Sequence, residues 1–321
     1  MGLDHEVVPM TSRKTIPSPC NGRIGRRLFL ATSSALPLLM LAGTAPAHAA
    51  PTRPFSTRVI HSGHSLTDPI VPVLDAMVVA IGRQDARSRA MARSTIPGSP
   101  MEWRWDHRST DGPDARRDIA DYNLLVITER VSLSNTVPWH RSSEMALNWF
   151  THAWTNGNHG KGAETILYAT WVDIDSGPDF ANPYKDPEGH LTFRERLPLE
   201  MAQWQQIADH VNAARPNGAP AMRVIPGPLI MAAVYDAIAT GTAPDLTKID
   251  DLFSDKIHLN PQGAYLIALA HLAVIYGVDP RDLSGGLGGI AVPSPATAAW
   301  MKQLVHDILR DYPDAGYHGA A

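Results

Sequence analysis

The sequence predicts an α/β fold whose mostly parallel sheet is covered on both faces by helices. Short apolar runs typical of buried strands alternate along the chain with longer segments in which apolar residues recur at helical spacing. Hydrophobic residues make up 44% of the 321 residues and charged residues 19%. That composition is ordinary for a globular protein and argues against a coiled-coil, collagen-like or wholly disordered chain.

The first three predicted elements lie between residues 57 and 127. The run 57–60 is rich in residues that favour strands, and the polar, glycine-containing segment 61–68 follows it. Pro69 opens an amphipathic segment whose apolar residues recur at helical spacing up to Ile81. The uninterrupted apolar run 124–127 is typical of a strand buried on both faces.

The same alternation continues into the middle of the chain. Ser142 or Ser143 can cap a helix with one apolar face that ends near Gly157. The run 165–169 predicts another strand, and a helical stripe of apolar residues covers 197–211.

The last elements carry the clearest boundary signals. Residues 222–225 predict a strand, and Asn260 followed by Pro261 is typical of a helix N-cap with proline in the first helical position. That helix is expected to end at Gly277, and a final helix is expected over 296–309. No internal repeat or linker interrupts the pattern, which favours a single domain.

Charge and cysteine content exclude several classes of protein. Lys plus Arg number 28 and Asp plus Glu 32, so the net charge of −4 leaves no basic footprint for nucleic acid. The one cysteine, Cys20, excludes an intramolecular disulfide and a zinc site built from several cysteines.

The N-terminal segment is predicted to be a twin-arginine export signal. Arg26 and Arg27 precede the apolar stretch 28–41, and the small-x-small site Ala47-His48-Ala49 follows. That stretch is shorter than the roughly 20 residues that a membrane-spanning helix needs, so a permanent anchor is the less favoured alternative. Thr44 stands where a bacterial lipoprotein would carry cysteine.

Cleavage after residue 49 would leave a single domain over 50–321, exported to the periplasm or beyond the cell. No membrane anchor and no cysteine would then remain, so the core alone would stabilise the exported protein. The sequence leaves the oligomeric state open.

The segment after the first strand is a candidate nucleophile site. Ser62-Gly63-His64-Ser65 places Ser65 on a tight turn at the carboxyl end of a strand, just before a helix N-terminus. Backbone N–H groups and the positive end of the helix dipole would favour a developing negative charge there. A serine hydroxyl also needs a base that a third group orients.

Asp255-Lys256-Ile257-His258 supplies that base and that third group. In a loop, an aspartate three residues before a histidine can bind the imidazole Nδ1 and leave the other nitrogen free to face a serine hydroxyl. Taken alone, both patterns are weak, and Ser65 is more typical of a helix-capping or loop serine than of a nucleophile.

Gly-His-Ser-Leu after the first strand and Asp-Lys-Ile-His-Leu-Asn before the last long helix together resemble the SGNH/GDSL hydrolase family. The resemblance implies a flavodoxin-like, three-layer α/β/α fold and ester hydrolysis without metal or organic cofactor. It implies Ser65 as nucleophile, His258 as general base and then acid, and Asp255 as the residue that orients His258. Backbone N–H groups of Ser65 and Gly98 would form the oxyanion hole.

One segment departs from the family pattern. The family has Gly-x-Asn-Asp after its third strand and uses the asparagine as an oxyanion donor, whereas this chain has Thr128-Glu129-Arg130-Val131-Ser132. An ionised glutamate cannot donate a hydrogen bond. Arg130, Ser132 or Asn135 would have to supply the donor, unless the backbone groups act alone. Glu129 would then bind substrate or position Arg130, and a surface or supporting role behind the site is the equal alternative.

The sequence supports a small-molecule or polysaccharide ester as substrate. Trp103 and Trp105 alternate in a short polar segment, so an extended chain would present both indoles on one side, where they could stack on sugar rings. Short acyl groups, such as acetyl, on a carbohydrate are the expected substrate.

Two alternatives remain open at this stage. A non-catalytic carbohydrate-binding protein could keep the same fold. A metal-dependent hydrolase could use His61 and His64, with Asp68 nearby, since imidazole and carboxylate groups are suitable zinc ligands.

Overall fold

A computed structural model describes residues 53–82, 91–109 and 112–319. Five strands of these residues form one parallel sheet with the order β2-β1-β3-β4-β5. The strands are β1 (Val59–Gly63), β2 (Met91–Thr95), β3 (Leu124–Ile127), β4 (Glu164–Ala169) and β5 (Arg223–Pro226). This order is flavodoxin-like, and the predicted α/β fold is confirmed.

Helices cover both faces of the sheet. They are α1 (Ile70–Gly82), α2 (Met101–Asp106), α3 (Leu133–His140), α4 (Ser142–Gly160), α5 (Phe193–Ala214), α6 (Gly227–Ala239), α7 (Pro261–Tyr276) and α8 (Pro295–Asp311). One core joins α1, α6, α7 and α8 to the sheet, and the other joins α2, α4 and α5 to its opposite face. The molecule therefore has three layers, with the sheet in the middle.

The two faces follow from the alternation of side chains along each strand. Val59, Val126 and Tyr168 belong to the core on the α7 side, whereas Ile60 and Leu125 belong to the core on the α4 side. Both sets are fully buried, which is why these strands read as continuous apolar runs in the sequence.

Strand order fixes where a ligand can bind. The chain passes from β1 to the edge strand β2 and then back to β3 on the other side of β1. Loops that leave β1 and β3 in opposite directions open a crevice at the carboxyl edge of the sheet. Ser65 follows β1 at this edge.

The predicted helix boundaries are correct for α7 and incorrect for the start of α4. Asn260 caps α7, accepting hydrogen bonds from the N–H groups of Gln262 and Gly263, and the helix ends at Gly277 in the left-handed region, as predicted. Ser142 does not cap α4, because Arg141 occupies that position and Ser142 is already helical.

Four of the described strands and helices, β2, α2, α3 and α6, were not predicted from the sequence. Strand β2 is a half-exposed edge strand with the polar sequence MARST, so it lacks an apolar run. Helix α6 begins directly after β5 without a capping side chain. No helix of the described ranges is long and apolar enough to cross a membrane. The predicted signal segment 1–49 lies outside the described residues.

Candidate active site

Ser65 lies on the tight turn between β1 and α1. The N–H of Thr67 donates to the carbonyl oxygen of His64 at 2.8 Å, and the N–H of Ile70 donates to Thr67 at 3.1 Å. Gly63 makes this turn possible, because a Cβ atom there would lie 2.0 Å from Oγ1 of Thr67. The turn places the Ser65 side chain at the carboxyl edge of the sheet.

The loop before α7 is compact and carries Asp255 and His258. An isolated antiparallel bridge joins Phe253 and Leu259, and the N–H of Ser254 donates to the carbonyl oxygen of His258 at 2.8 Å. The cap residue of α7 also holds this loop, since its Nδ2 donates to Asp251 at 2.8 Å. The loop thus has a defined conformation where it meets Ser65.

Ser65, His258 and Asp255 form a chain of hydrogen bonds. Oγ of Ser65 lies 2.8 Å from Nε2 of His258, and Nδ1 of His258 lies 2.7 Å from Oδ2 of Asp255. A proton on Nδ1 directed to the carboxylate leaves Nε2 as the acceptor for the serine hydroxyl. The structure therefore brings together the three residues that the sequence assigned to a triad.

Asp255 is held as a carboxylate by its surroundings. Its Oδ1 accepts hydrogen bonds from the N–H groups of Ile257 at 2.9 Å and His258 at 2.8 Å. Burial raises the pKa of Asp255, but these bonds and the one from the His258 ring outweigh it and lower that pKa to about 2. The imidazole thus faces a charged partner throughout the neutral range.

Gly98 stands in the turn between β2 and α2, beside the same cavity. The turn is tied to the end of β1, since the N–H of Ile96 donates to the carbonyl oxygen of Gly63 at 3.1 Å. Gly98 has a φ of 64°, in the left-handed region. Within the described ranges, the backbone N–H groups of Ser65 and Gly98 make no hydrogen bond, so both remain available to a ligand.

A cavity of about 970 Å³ opens over Ser65 and His258. The segment 172–186, which follows β4, forms much of its wall. Most of the rest of the wall comes from the turn before α1, the turn after β2, the segment after β3, the start of α3 and the loop before α7; these parts contribute, among others, Leu66, Gly98, Arg130, Asn135 and Lys256. The volume lies within the range of about 300–1,000 Å³ that is common for small-molecule sites.

A buried ion pair anchors this wall. Nη2 of Arg196, on α5, lies 2.5 Å from Oδ2 of Asp186, and both side chains are almost fully buried. Asp186 also accepts hydrogen bonds from the hydroxyls of Ser132 at 2.5 Å and Ser134 at 2.6 Å. The pair therefore joins the cavity wall to α5 and to the segment that begins α3.

Glu129 does not line the cavity, and the prediction that it binds substrate is wrong. Its side chain is fully buried, and Oε1 accepts hydrogen bonds from the N–H groups of Met101 at 2.8 Å and Arg130 at 2.7 Å. Burial raises the pKa of the Glu129 carboxyl, and the nearby charge of Arg104 opposes that rise without reversing it. Glu129 instead joins two loops at the carboxyl edge.

Arg104 is a buried cation that the sequence analysis missed. It donates to Oγ of Ser62 at 3.2 Å, to Ser99 through both the carbonyl oxygen and the hydroxyl, and to the carbonyl oxygen of Thr128. These acceptors lie at the ends of β1 and β3 and beside Gly98. A single arginine between two tryptophans carries no local signal for such a role.

His64, the residue before Ser65, is a neutral structural histidine. Its Nε2 donates to the carbonyl oxygen of Glu129 at 2.9 Å, and its Nδ1 accepts from the N–H of Leu66 at 3.4 Å. Burial, followed by the charge of Arg104, lowers the pKa of His64 to about 3. Both ring nitrogens are therefore engaged in holding the turn.

His61 lies within β1, on the face of the sheet that α7 covers. Its Nδ1 lies 3.3 Å from the carbonyl oxygen of Ala92, and its ring packs 5.9 Å from the ring of His271 on α7. No group of three His, Cys, Asp or Glu side chains in the described parts of the chain is arranged to hold a metal ion. The two histidines thus provide no ligand set.

The prediction that Trp103 and Trp105 share one side of an extended segment is wrong. Both lie in α2, where residues two apart point in different directions. Trp103 is half exposed and stacks on His107 at 3.5 Å, while Trp105 packs edge-on against Trp149 at 5.2 Å. Neither indole lines the cavity.

Comparison with known proteins bears on the fold. No protein-family model matches the chain, and no curated protein matches it in sequence. Among solved structures, the chain is similar to the crystal structure of a DUF4886 family protein from Bacteroides uniformis, with a TM-score of 0.55 and 14% identity. The similarity covers 80% of this chain and 96% of the other, and it shows a shared fold.

Proposed function

We propose that the protein is a serine esterase of the SGNH type that hydrolyses carboxylic esters through an acyl-enzyme. One observation carries the proposal: the hydrogen-bonded chain from Ser65 through His258 to Asp255 at the mouth of a cavity. Such a chain supplies a nucleophile, a base and a group that orients the base. Export to the periplasm or beyond the cell belongs to the same proposal.

The acylation step follows from the positions of these groups. Oγ of Ser65 attacks the ester carbonyl carbon while its proton passes to Nε2 of His258, and the carbonyl electron pair moves onto oxygen. Asp255 stabilises the imidazolium that forms. His258 then returns the proton to the departing alcohol, and a tetrahedral intermediate becomes the acyl-enzyme.

Deacylation repeats the sequence with water as the nucleophile. His258 takes a proton from water while the water oxygen attacks the acyl carbon. The proton then passes to Oγ of Ser65 as the bond from Oγ to the acyl carbon breaks and the carboxylic acid leaves. The backbone N–H groups of Ser65 and Gly98 stabilise the oxyanion in both halves of the reaction. Their lack of an internal partner supports this role.

The cavity supports a small acyl group on a polar alcohol. Polar side chains stand among apolar ones on its wall, and the carboxylates of Asp173 and Asp179 can accept hydrogen bonds from the hydroxyls of a sugar. We therefore propose short acyl esters of a carbohydrate, acetyl esters above all, as the substrate class.

The test is hydrolysis of p-nitrophenyl acetate and of acetylated saccharides by the full chain. Ser65→Ala and His258→Ala are expected to lower kcat by several orders of magnitude while the circular dichroism spectrum and melting temperature stay those of the wild type. Ser56→Ala and His210→Ala, which change exposed residues, are the matched controls. Labelling by a fluorophosphonate should require Ser65 and an intact His258.

Turnover that survives Ser65→Ala would overturn the serine mechanism. A folded wild-type protein that hydrolyses no ester, resists the fluorophosphonate and binds saccharides equally well with and without Ser65 would instead indicate a carbohydrate-binding protein.

A further inference from the structure

The oxyanion hole that the backbone provides has room for a side-chain donor from the segment after β3. Arg130, Ser132 and Asn135 all line the cavity that holds Ser65, and each carries N–H or O–H groups. The sequence left the choice among them open. Their hydrogen bonds in the structure separate them.

Two of the three donors are already engaged. The hydroxyl of Ser132 donates to Oδ2 of Asp186 at 2.5 Å, within the network that anchors the cavity wall. Nδ2 of Asn135 donates to the carbonyl oxygen of Tyr184 at 3.3 Å. Ser132 would have to give up its only O–H hydrogen bond before it could reach an oxyanion. Asn135 keeps a second N–H, but its amide is oriented by the bond to Tyr184.

The guanidinium of Arg130 is not engaged in this way. Its side chain makes no hydrogen bond and no ion pair with the residues that the structure describes. The guanidinium lies over the Tyr184 ring, 5.8 Å from its centre, in a cation–π contact that uses none of its N–H groups. The side chain is half-buried and lines the same cavity as Ser65 and Gly98. An arginine so placed keeps all its donors available to a ligand in the cavity.

The backbone of Arg130 is held against the turn of Ser65. Its N–H donates to Oε1 of Glu129 at 2.7 Å, and the carbonyl oxygen of Glu129 accepts from Nε2 of His64 at 2.9 Å. The peptide unit that joins residues 129 and 130 therefore rests on the residue directly before the nucleophile. The Arg130 side chain starts from a fixed point next to Ser65.

We propose that the guanidinium of Arg130 is a third oxyanion donor, charged where a neutral amide would otherwise serve. This inference rests on the proposed esterase function. Arg130 donates an N–H hydrogen bond to the carbonyl oxygen as Ser65 attacks, and it keeps its proton throughout. A bond from a charged donor is roughly twice as strong as a neutral one, so it favours the transition state over the neutral ester.

A carboxylate on the substrate is the other possible partner for Arg130, and the charges of the cavity disfavour it. Asp173 and Asp179 line the same cavity and make no ion pair with any residue that the structure describes. Their charges would repel an anionic substrate, whereas an oxyanion forms only at the reacting carbon. The two assignments predict different kinetics.

The experiment compares a neutral ester, p-nitrophenyl acetate, with an anionic one, p-nitrophenyl hemisuccinate. Arg130→Met is expected to lower kcat by roughly 100- to 1,000-fold on both esters, with KM changed by less than about threefold. Arg130→Lys should retain part of the activity, and added guanidinium ion should partly restore Arg130→Ala. Arg141→Met, which changes an exposed arginine away from the cavity, is the matched control.

Three results would overturn the assignment. One is a kcat for Arg130→Met within twofold of wild type, and another is a rise in KM confined to the hemisuccinate. The third is the absence of rescue by guanidinium together with full activity in Arg130→Lys. A wild-type protein that hydrolyses neither ester and resists the fluorophosphonate would refute the esterase function itself, which separates that failure from failure of the Arg130 assignment.

Discussion

Oε1 of Glu129 accepts a hydrogen bond from the backbone N–H of Met101 at 2.8 Å, so the end of β3 holds the first residue of α2. Gly98 lies three residues before Met101, and the same oxygen binds the N–H of Arg130. One carboxylate thus fixes the spacing between the two loops that flank Ser65. Arg104 adds bonds from the same helix to β1 and β3.

Two substitutions of Glu129 should show whether its role depends on an oxygen that accepts hydrogen bonds or on its negative charge. Glu129→Gln keeps an oxygen for both N–H groups, whereas Glu129→Ala removes it and leaves buried donors without a partner. We expect Glu129→Ala to lower the free energy of unfolding by about 3 kcal/mol, and Glu129→Gln by less. Urea denaturation measures both.

The same pair tests the role of Glu129 in positioning. On p-nitrophenyl acetate, kcat should fall at least about tenfold for Glu129→Ala with little change in KM, because the oxyanion donors move while the cavity wall stays in place. Near-normal kcat for Glu129→Gln would identify the acceptor oxygen as the essential feature. Equal losses in both variants would contradict this and point to the charge.

Asp255→Asn should impair the proposed triad without unfolding the chain. The asparagine oxygen can still accept from the backbone, but its amide favours the wrong imidazole tautomer, so kcat should fall about 10³- to 10⁴-fold. Because the pKa of Asp255 is lowered to about 2, its charge is lost only as pH falls through that value. The acid limb of kcat/KM near neutrality should therefore report another group. Unchanged kcat would contradict the triad, and Asp250→Asn on the same loop is the control.

Gly98→Ala should show the cost of backbone conformation at this position without any steric clash of the new side chain. A Cβ atom would meet nothing within 4 Å, so the cost comes from the φ of 64°, and about 1 kcal/mol of stability should be lost. Gly218, with a φ of 81° and equally open surroundings, supplies the control Gly218→Ala. Both should destabilise the fold similarly, but only Gly98→Ala should lower kcat. Equal kcat in the two variants would remove Gly98 from the oxyanion hole.

Breaking the Arg196–Asp186 pair should loosen the cavity wall. Arg196→Met leaves a buried carboxylate without its cation, so the free energy of unfolding should fall by about 3–5 kcal/mol. Arg194→Met, two residues away, removes an exposed pair with Asp236 and should cost less than about 1 kcal/mol. KM for an acetylated saccharide should rise for the first variant and not for the second. A stable Arg196→Met protein with wild-type KM would contradict the anchoring role.

Glu200 should weaken the fold at alkaline pH. Burial raises the pKa of Glu200 to about 8, so the folded state keeps a proton that the unfolded state loses near 4.5. Its contribution to stability is present below 4.5 and lost as pH rises through 8. Glu200→Gln should therefore raise the free energy of unfolding at pH 9 by about 2–4 kcal/mol, since each pKa unit is worth about 1.4 kcal/mol. No gain at pH 9 relative to exposed Glu144→Gln would contradict this.

The buried histidines His61 and His271 should lower the stability of the fold at acidic pH. Burial lowers the pKa of His61 to about 4 and of His271 to about 3, below the ordinary 6.5. Between pH 6.5 and these lowered pKa values the unfolded state binds more protons than the folded state. The free energy of unfolding therefore falls as pH drops below 6.5. His271→Gln should lessen the slope of unfolding free energy against pH between 4 and 6, measured by urea denaturation. An unchanged slope would contradict the assignment.

Sequence alone predicted the elements whose signals are local. Strands β3 and β4 are apolar runs because both faces of the sheet are covered, and Asn260 with Pro261 marks the start of α7 by its own chemistry. Edge strand β2 escaped prediction, since partial exposure removes the apolar pattern. Trp103 and Trp105 alternate in a way that suits a strand, yet tertiary packing makes that segment helical.

By itself, the sequence determined the α/β class, because apolar periodicity is a property of the chain. Its resemblance to a hydrolase family, more than the spacing of the residues, indicated a serine, a histidine and an aspartate as partners. Only the tertiary structure decided that Oγ of Ser65 and Nε2 of His258, 193 residues apart, lie 2.8 Å from each other. It also decided that Glu129 is buried and that, among the described residues, the Arg130 guanidinium contacts the Tyr184 ring without a hydrogen bond. Those outcomes depend on which loops come together at the carboxyl edge of the sheet. The packing of segments that are distant in sequence decides this, and local spacing does not.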